Sequence, residues 1–167
     1  GGPLDGILIL DLTRVLAGPF CTLILADLGA RVIKVEMPGS GDDTRRFGPF
    51  VGGESVYFAS LNRGKESIAL DLDAPQDRAL FERILARADV LVENFRPGTL
   101  ERKGYGWEML SQRYPRLIYG EISGFGRTGR WFAREHWQVR VDMMTIGKGL
   151  TSGYASLAGV VVDRAIA

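Results

Sequence analysis

The first apolar run of the chain reads Ile7-Leu-Ile-Leu-Asp-Leu12. A short, nearly continuous run of this kind predicts a β-strand that is buried on both faces, as the strands of parallel sheets are. The next apolar stretch, from Pro19 to Leu28, has the length of a helix and is followed by Gly29. Arg31-Val-Ile-Lys-Val-Glu36 predicts a second strand. Together these segments predict a βαβ unit with a right-handed crossover.

Farther along the chain, predicted strands and helices keep alternating. Strands are predicted at residues 67–71, 90–93 and 116–122, and helices at residues 55–61, 75–88, 99–103 and 107–113. Residues 37–53 are predicted to form a long polar loop, and such loops often carry function. We expect Leu80, Ile84 and Leu85 to form the buried face of the helix that starts at Pro75. The alternation predicts an α/β domain built on an open, mostly parallel sheet.

The composition is typical of a globular domain. The 167 residues are 46% hydrophobic and 25% charged, and the 21 basic residues nearly balance the 20 acidic ones, which gives a net charge of +1. This balance argues against nucleic acid or an acidic membrane as a partner. No apolar run approaches the ~18 residues of a membrane span, and no secretory leader is recognisable. Cys21, the single cysteine, is expected in the core; it excludes a disulfide framework and favours a reducing cytoplasm.

A βαβ unit raises the possibility of a dinucleotide-binding site. Glu36, at the end of the second strand, would be the acidic residue that binds a ribose. A pyrophosphate, however, requires several glycines at the first strand-to-helix turn, where backbone N–H groups approach it. That turn reads Thr13-Arg-Val-Leu-Ala-Gly18 and contains one glycine. The sequence therefore argues against a nicotinamide cofactor.

Five motifs occur along the chain in a set order. They are Pro3-Leu-Asp-Gly-Ile7, Ala17-Gly-Pro19, Leu28-Gly-Ala-Arg-Val-Ile-Lys-Val-Glu36, Pro38-Gly-Ser-Gly-Asp42 and Val92-Glu-Asn-Phe-Arg-Pro-Gly98. As an ordered set they resemble the N-terminal part of the family III CoA transferases, the group of the formyl-CoA and carnitine-CoA transferases. The resemblance covers residues 3–129. It implies a Rossmann-like α/β domain, here a truncated N-terminal domain, and a parent protein whose two chains interlock as a homodimer.

The resemblance also implies a reaction. In this family a carboxylate attacks an acyl-CoA thioester, and CoA is then carried as an aspartyl-CoA thioester, so that coenzyme A and acyl-CoA are substrates. The α-methylacyl-CoA racemases share the fold and exchange an α-proton instead. The expected function is therefore CoA transfer from an acyl-CoA to a carboxylate, with racemisation as an alternative within the fold.

Six residues correspond to CoA-contacting positions of that family. They are Val15, Leu16, Leu70, Asn94, Arg102 and the neighbouring Lys103. The three aliphatic residues could equally belong to the core, and Asn94 could cap the turn in which it lies. Arg102 could be a solvated surface charge, or it could contact a phosphate or ribose. At Met37 some relatives carry an arginine that faces the nucleotide, so we expect this chain to bind CoA weakly.

The last part of the chain resembles a different family. Three segments are similar to class III pyridoxal-phosphate aminotransferases: residues 124–133, Glu135-His-Trp137 and Asp142-Met-Met-Thr-Ile-Gly-Lys-Gly-Leu-Thr-Ser-Gly-Tyr154. In that family the lysine that corresponds to Lys148 forms the Schiff base with pyridoxal phosphate. The sequence therefore predicts a chimera: a CoA-transferase domain at residues 1–126 and an aminotransferase-like tail at residues 127–167 that packs poorly onto it. The opening Gly1-Gly-Pro3, without Met, would suit a piece of a longer protein.

Catalytic residues are not assigned from the sequence for either family. For CoA transfer Asp142 is a candidate nucleophile by its location alone, and His136 is a candidate acid or base of a racemase. Pyridoxal phosphate would need an acidic partner where this chain has Tyr119, and Glu121 is out of register. No cluster has the spacing of metal ligands. We therefore expect an incomplete, inactive CoA transferase, with an aminotransferase fragment or a non-catalytic α/β module as the alternatives.

Overall fold

The protein is described by a computed structural model. It covers residues 1–122 and, beyond them, the backbone of two strands at residues 143–147 and 158–162. The chain forms two compact units, Gly1–Val92 and Glu93–Ala167. The helices among the described residues all lack the length and apolar character that a membrane-spanning helix requires.

The first unit is built on parallel strands. Its elements are β1 (Leu8–Asp11), α1 (Ala17–Asp27), β2 (Arg31–Glu36), a 3₁₀ helix (Asp43–Arg46), β3 (Phe50–Val51), β4 (Glu54–Ser55), α2 (Val56–Asn62), β5 (Glu66–Ala69), α3 (Pro75–Leu85) and the start of β6 (Val90–Glu93). Four strands lie in the order β5, β2, β1, β6, and each neighbouring pair is parallel. The predicted α/β class and mostly parallel sheet are confirmed.

The apolar runs of the sequence form the centre of this sheet. Ile9 of β1 pairs with Val32 of β2 and with Val90 of β6. Ile9, Leu10, Val32 and Leu91 are all buried. β1 and β6 are buried along nearly their whole length and accordingly read as apolar segments without alternation, whereas burial alternates along β2.

One prediction for α3 is wrong. Leu80, expected on the buried face, is 37% exposed, whereas Phe81 and Leu85 are buried. Phe81 and Leu85 are four positions apart and so lie on one face of the helix. Burying the Phe81 ring removes more apolar surface from water than burying a leucine would, so the core face is centred on Phe81.

Residues 37–53, predicted as a polar loop, contain short regular elements. The 3₁₀ helix is capped by Asp42, whose side chain accepts a hydrogen bond from the Thr44 N–H. An antiparallel hairpin of β3 and β4 follows. Gly52 and Gly53 at its tip have φ values of 60° and 85°. Two successive positive φ values are what a tight hairpin turn requires, and glycine adopts them without strain.

The second unit holds two short helices and three strands among its described residues. They are α4 (Thr99–Arg102), α5 (Trp107–Arg113), β7 (Ile118–Ile122), β8 (Met143–Gly147) and β9 (Ala158–Val162). β7 and β8 are parallel, and β8 and β9 are antiparallel. Val160 and Val162, which belong to the predicted tail, thus take part in strand pairing. The predicted domain boundary at residue 126 and the poor packing of the tail stay predictions.

Candidate functional site

The turn between β1 and α1 has an unusual backbone. Val15 has a φ of 70°, in the left-handed region, although its side chain is β-branched. In that region the Cβ of an L-residue crowds the backbone, and a β-branched residue there is an outlier that its surroundings must enforce. Val15 is also 40% exposed. Strained, exposed positions of this kind cluster at ligand sites. The sequence predicts Val15 as a site residue only through the family resemblance.

A buried carboxylate enforces the conformation of Val15. The Val15 N–H donates to both Asp42 carboxylate oxygens at 3.3 Å. The same carboxylate accepts hydrogen bonds from the backbone N–H and the hydroxyl of Thr44, at 3.0 and 2.8 Å. Burial works to raise the pKa of Asp42, but the Thr44 hydrogen bonds and the Lys34 charge outweigh it, so the pKa lies below its ordinary value. Asp42 is therefore a carboxylate at neutral pH.

Lys34 is the cation that balances Asp42. Its Nζ lies 3.0 Å from a carboxylate oxygen of Asp42, and both side chains are 1% exposed. The same Nζ donates to the Thr13 carbonyl at 2.8 Å. One buried ion pair thus holds both ends of the turn, at Thr13 and at Val15. Lys34 stands out in the sequence as a charge inside an apolar strand, and this was the available signal for it.

A second buried ion pair joins Lys65 to Asp11, the last residue of β1. Lys65 Nζ is 3.1 Å from Asp11 at the carboxyl end of β1, and it also donates to Thr22, to Asn62 and to the Pro19 carbonyl. Burial lowers the pKa of Lys65, and the Asp11 charge opposes that shift. Because each buried charge has an opposite charge and hydrogen-bond partners, the pair fixes the start of α1 without leaving a polar group unsatisfied.

Glu36 ties the loop after β2 to the sheet. Arg45 donates to both of its carboxylate oxygens, at 2.6 and 2.7 Å, and Ser67 donates at 2.6 Å. Burial works to raise the pKa of Glu36, but these hydrogen bonds and one from the Asp42 N–H hold it at about 2. Both Glu36 carboxylate oxygens are therefore engaged in hydrogen bonds within the protein, which argues against their binding a ribose. The adjacent Met37 adds no positive charge.

The other two aliphatic candidates of the first unit differ from each other. Leu16 is half-buried and immediately precedes α1. Leu70 follows β5 and is 3% exposed, so its side chain belongs to the core. Its N–H donates to the Glu36 carbonyl at 2.9 Å. Of the three aliphatic candidates, Val15 and Leu16 therefore have side chains that reach solvent, and Leu70 does not.

The remaining three candidates belong to the second unit. Asn94 follows β6 and is half-buried. Arg102, in the last turn of α4, is exposed and donates to the Thr99 hydroxyl at 3.1 Å. Lys103 follows it and is half-buried. The helix α4 begins after Gly98, which has a φ of 79°.

A buried acidic cluster in the second unit was not foreseen as such. Tyr119 donates its hydroxyl proton to Glu93 at 2.8 Å, and the Phe95 N–H donates to the other Glu93 oxygen at 2.6 Å. Burial and the neighbouring Glu121 carboxylate raise the pKa of Glu93 to about 8. Burial and the charge of Glu93 also raise the pKa of Tyr119 well above its ordinary value. Glu93 thus carries a proton at neutral pH, which a motif search does not reveal.

Pyridoxal phosphate does not fit the described residues. Tyr119 stands where the cofactor would need an acidic partner, and it is a buried neutral phenol engaged with Glu93. Lys148, the predicted Schiff-base lysine, lies outside the described residues. Asp142 and His136, the candidate catalytic residues, also lie outside them. The described residues contain no group of three or more metal-ligating side chains.

Cys21 behaves as a structural thiol. It is half-buried in α1. Burial raises its pKa, and the nearby Asp11 carboxylate raises it further. Because the thiolate is the reactive form, Cys21 is not an activated nucleophile.

Comparison with known proteins bears on most of the chain. A family model described as CoA-transferase family III matches residues 4–159. An acetyl-CoA:oxalate CoA-transferase of Acetobacter aceti is 59% identical over 128 residues, which are 77% of this chain and 33% of that protein. The succinyl-CoA:glutarate CoA-transferase of Homo sapiens is 54% identical over 128 residues, 76% of this chain and 29% of that protein. The chain thus spans about a third of the length of these relatives.

Solved structures give the same picture. A CaiB/BaiF family protein from Brucella suis superposes with a TM-score of 0.71 at 47% identity, over 78% of this chain and 35% of that one. A transaminase from Arthrobacter sp. covers 97% of this chain and 37% of that one with a TM-score of 0.51 at 16% identity, which reflects the α/β fold alone. The family match continues through residues 124–129 to residue 159 and does not support the predicted chimera.

Proposed function

Because the chain belongs to CoA-transferase family III, we propose that the protein moves CoA from an acyl-CoA donor to a carboxylate acceptor. The relatives named above pair acetyl-CoA or succinyl-CoA with oxalate or glutarate, and a further relative from Haloarcula hispanica pairs succinyl-CoA with mesaconate. All three acceptors are dicarboxylates. We therefore extend the proposal to a small dicarboxylate as the acceptor.

The turn at Val15 and Leu16 is the observation that carries the proposal. It lies at the carboxyl end of β1, the edge at which parallel α/β sheets bind their ligands. Its backbone is held in a strained form while its two aliphatic side chains reach solvent. Exposed aliphatic groups and a fixed backbone suit the pantetheine arm of CoA. Leu70, whose side chain is buried, would contribute through its backbone.

The second unit contributes polar candidates of its own. Arg102 presents an exposed guanidinium, and Lys103 adds a second positive charge next to it. Cations of this kind suit the phosphates of CoA, and Arg in particular pairs with phosphate in a bidentate manner. Asn94 carries an amide that donates and accepts hydrogen bonds. We propose these three residues as CoA contacts of the second unit.

The chemical step needs a carboxylate nucleophile. The resemblance calls for an aspartate that forms an acyl anhydride and then a CoA thioester, and the residues described here do not place it. The sequence-based expectation is that the 167-residue chain binds CoA weakly, because Met37 replaces a cation, and that it shows no turnover unless a residue outside the described ones supplies this carboxylate. An interlocked homodimer and a cytoplasmic location complete the proposal; both come from the sequence.

Calorimetric titration tests the binding half of this proposal. We expect the chain to bind CoA, and we expect Arg102→Met to weaken CoA binding roughly tenfold to a hundredfold, the effect of one charge-assisted hydrogen bond. Pantetheine, which lacks the nucleotide phosphates, should bind both forms equally. Arg46→Met is the matched control, because Arg46 is also exposed but pairs with Asp43. A chain that shows no affinity for CoA would refute the proposal.

The transfer half is tested by mass spectrometry of CoA esters. The protein is incubated with succinyl-CoA and glutarate, or with acetyl-CoA and oxalate. A new CoA ester would confirm the transfer and contradict the predicted inactivity of this chain. An enzyme-bound CoA thioester trapped by hydroxylamine would have the same meaning and would direct attention to Asp142. Hydrolysis of the donor without a new ester would count against transfer.

A further inference from the structure

The turn that contains Val15 is fastened at two points by one ion pair. The Val15 N–H donates to Asp42, and the Thr13 carbonyl accepts from Lys34. Asp42 and Lys34 contact each other at 3.0 Å and are both almost fully buried. Both of these groups precede the Cα of Val15, and the backbone after it leads into α1, where the Phe20 N–H donates to the Leu16 carbonyl at 2.9 Å. With α1 in place, a change of φ at residue 15 has to pull the Val15 N–H away from Asp42.

The ion pair is itself held in place. Thr44 donates twice to Asp42, and the Asp42 N–H donates to Glu36 at 2.9 Å. On the opposite side, the turn packs against Gly18 so closely that a Cβ built there would lie 2.2 Å from the Thr13 Cβ. The turn is therefore confined between α1 and the buried pair. Neither Asp42 nor Lys34 reaches solvent, so neither could touch a bound ligand directly.

We propose that Asp42 and Lys34 are positioning residues that hold Val15 and Leu16 in the form that accepts CoA. This inference rests on the proposed function, because it assumes that the Val15 turn contacts CoA. Loss of the Asp42 charge replaces one of the two acceptor oxygens and weakens the hydrogen bond to the Val15 N–H, so that the left-handed strain favours an ordinary φ at residue 15. The aliphatic side chains that face the ligand move with it.

Asp42→Asn is the direct test, because the side chain keeps its size while the charge is lost. We expect CoA to bind roughly tenfold more weakly and the Val15 amide to exchange with solvent roughly tenfold faster. Asp43→Asn is the matched control: it is the adjacent carboxylate, but it is exposed and pairs with Arg46. Should Asp42→Asn fail to fold, Thr44→Val removes one hydrogen bond to Asp42 with little change of shape.

A double-variant cycle separates positioning from general stability. Glycine adopts a positive φ without strain, so a chain with Val15→Gly keeps the turn with less help from Asp42. In that background Asp42→Asn should weaken CoA binding less than about threefold, whereas a merely structural role would give the same loss in both backgrounds. Equal losses, or an unchanged Val15 exchange rate in folded Asp42→Asn, would overturn the inference.

The amide exchange measurement needs no ligand. If the wild-type chain fails to bind CoA, the proposed function is refuted, and exchange at Val15 still decides whether Asp42 controls the turn. If the wild-type chain binds CoA and folded Asp42→Asn binds it equally well, the positioning role alone is refuted.

Discussion

The two units bury carboxyl groups in opposite ways. In the first unit, Asp11 and Asp42 are each buried against a lysine, 3.1 and 3.0 Å away. In the second unit, the charged neighbours that move the pKa of Glu93 are the carboxylates of Glu121 and Glu101. Asp42 accordingly has a lowered pKa, while that of Glu93 is raised to about 8. Burial opposes ionisation in both units. At Asp42 the Thr44 hydrogen bonds and the Lys34 charge outweigh it, whereas at Glu93 the neighbouring carboxylates add to it.

The largest effect is expected from breaking a lysine–carboxylate pair. Lys65→Met leaves Asp11 as a buried charge without its cation, and four hydrogen bonds of the Lys65 ammonium are lost. We expect the free energy of unfolding to fall by about 3–5 kcal/mol. Urea titration followed by circular dichroism measures this. A loss below about 1 kcal/mol would mean that the pair is not needed to bury Asp11.

The stability of the second unit should fall as the pH rises, because its acidic cluster contains Glu93 with a raised pKa. Glu93 ionises near 4.5 when unfolded and near 8 when folded, so the folded chain binds more protons between these values. Stability should therefore fall as the pH rises from about 5 to 8, by on the order of 3–4 kcal/mol. In the first unit, Glu36, with a pKa of about 2, contributes stability that is lost as the pH falls below about 4.5.

Glu93→Gln isolates this pH effect. Glutamine stays neutral, and its one carbonyl oxygen can accept from the Phe95 N–H while its NH₂ group donates to the Tyr119 hydroxyl, which then acts as acceptor. The loss of stability above pH 5 should therefore largely disappear. All three tryptophans of the chain follow residue 92, and Trp107 stacks on Tyr119 at 6.1 Å, so tryptophan fluorescence reports on the second unit. Glu108→Gln, an exposed change in α5, is the control. If the stability of Glu93→Gln still fell between pH 5 and 8, the titrating group would have to be a residue other than Glu93.

A smaller change in the free energy of unfolding is expected at Val15, where the substitution relieves backbone strain and breaks no buried ion pair. Val15→Gly relieves the left-handed strain but makes the unfolded chain more flexible, so we expect a net gain of about 0.5–1 kcal/mol. Val56→Gly, at an equally exposed valine that starts α2, should instead destabilise by about 0.5–1 kcal/mol. Thermal unfolding of the two variants compares them. Destabilisation by Val15→Gly would show that the Val15 side chain contributes more than its strain costs.

The smallest effect is expected at an exposed ion pair. Asp27, at the end of α1, pairs with Arg63, and both side chains are more than half exposed. Asp27→Asn should change the free energy of unfolding by less than about 0.5 kcal/mol, because solvent screens the pair. The same urea titration that is used for Lys65→Met provides the comparison. A loss of stability as large as that of Lys65→Met would show that burial does not explain the difference between the Asp27–Arg63 and Asp11–Lys65 pairs.

The sheet was predictable because its signal is local. β2, β6 and α5 begin and end at the predicted residues, since apolar runs and flanking turns are legible within a few positions. The β3–β4 hairpin was missed although Gly52-Gly53 signals it, because its strands are two residues long. Leu80 was misplaced because helical periodicity gives a broad face and does not say which residue is at its centre.

The candidate site was predictable only in part. The resemblance led to Val15 and Leu16, which lie together on an exposed turn, but nothing local reveals the strain at Val15. Its hydrogen bond to Asp42 joins residues 27 positions apart, and the fold alone brings them together. The raised pKa of Glu93 likewise depends on burial and on the Glu121 carboxylate, which lies near it only after folding. The CoA contacts as a set stay predictions.

The tip of the β3–β4 hairpin offers a practical opening for protein engineering. Gly52 and Gly53 are exposed, and a Cβ added at either would meet nothing within 4 Å. Exposed loop tips of small residues are the sites at which inserted sequences are best tolerated. A short epitope or a fluorophore-binding peptide placed between these glycines would label the first unit while leaving the strands of its sheet continuous.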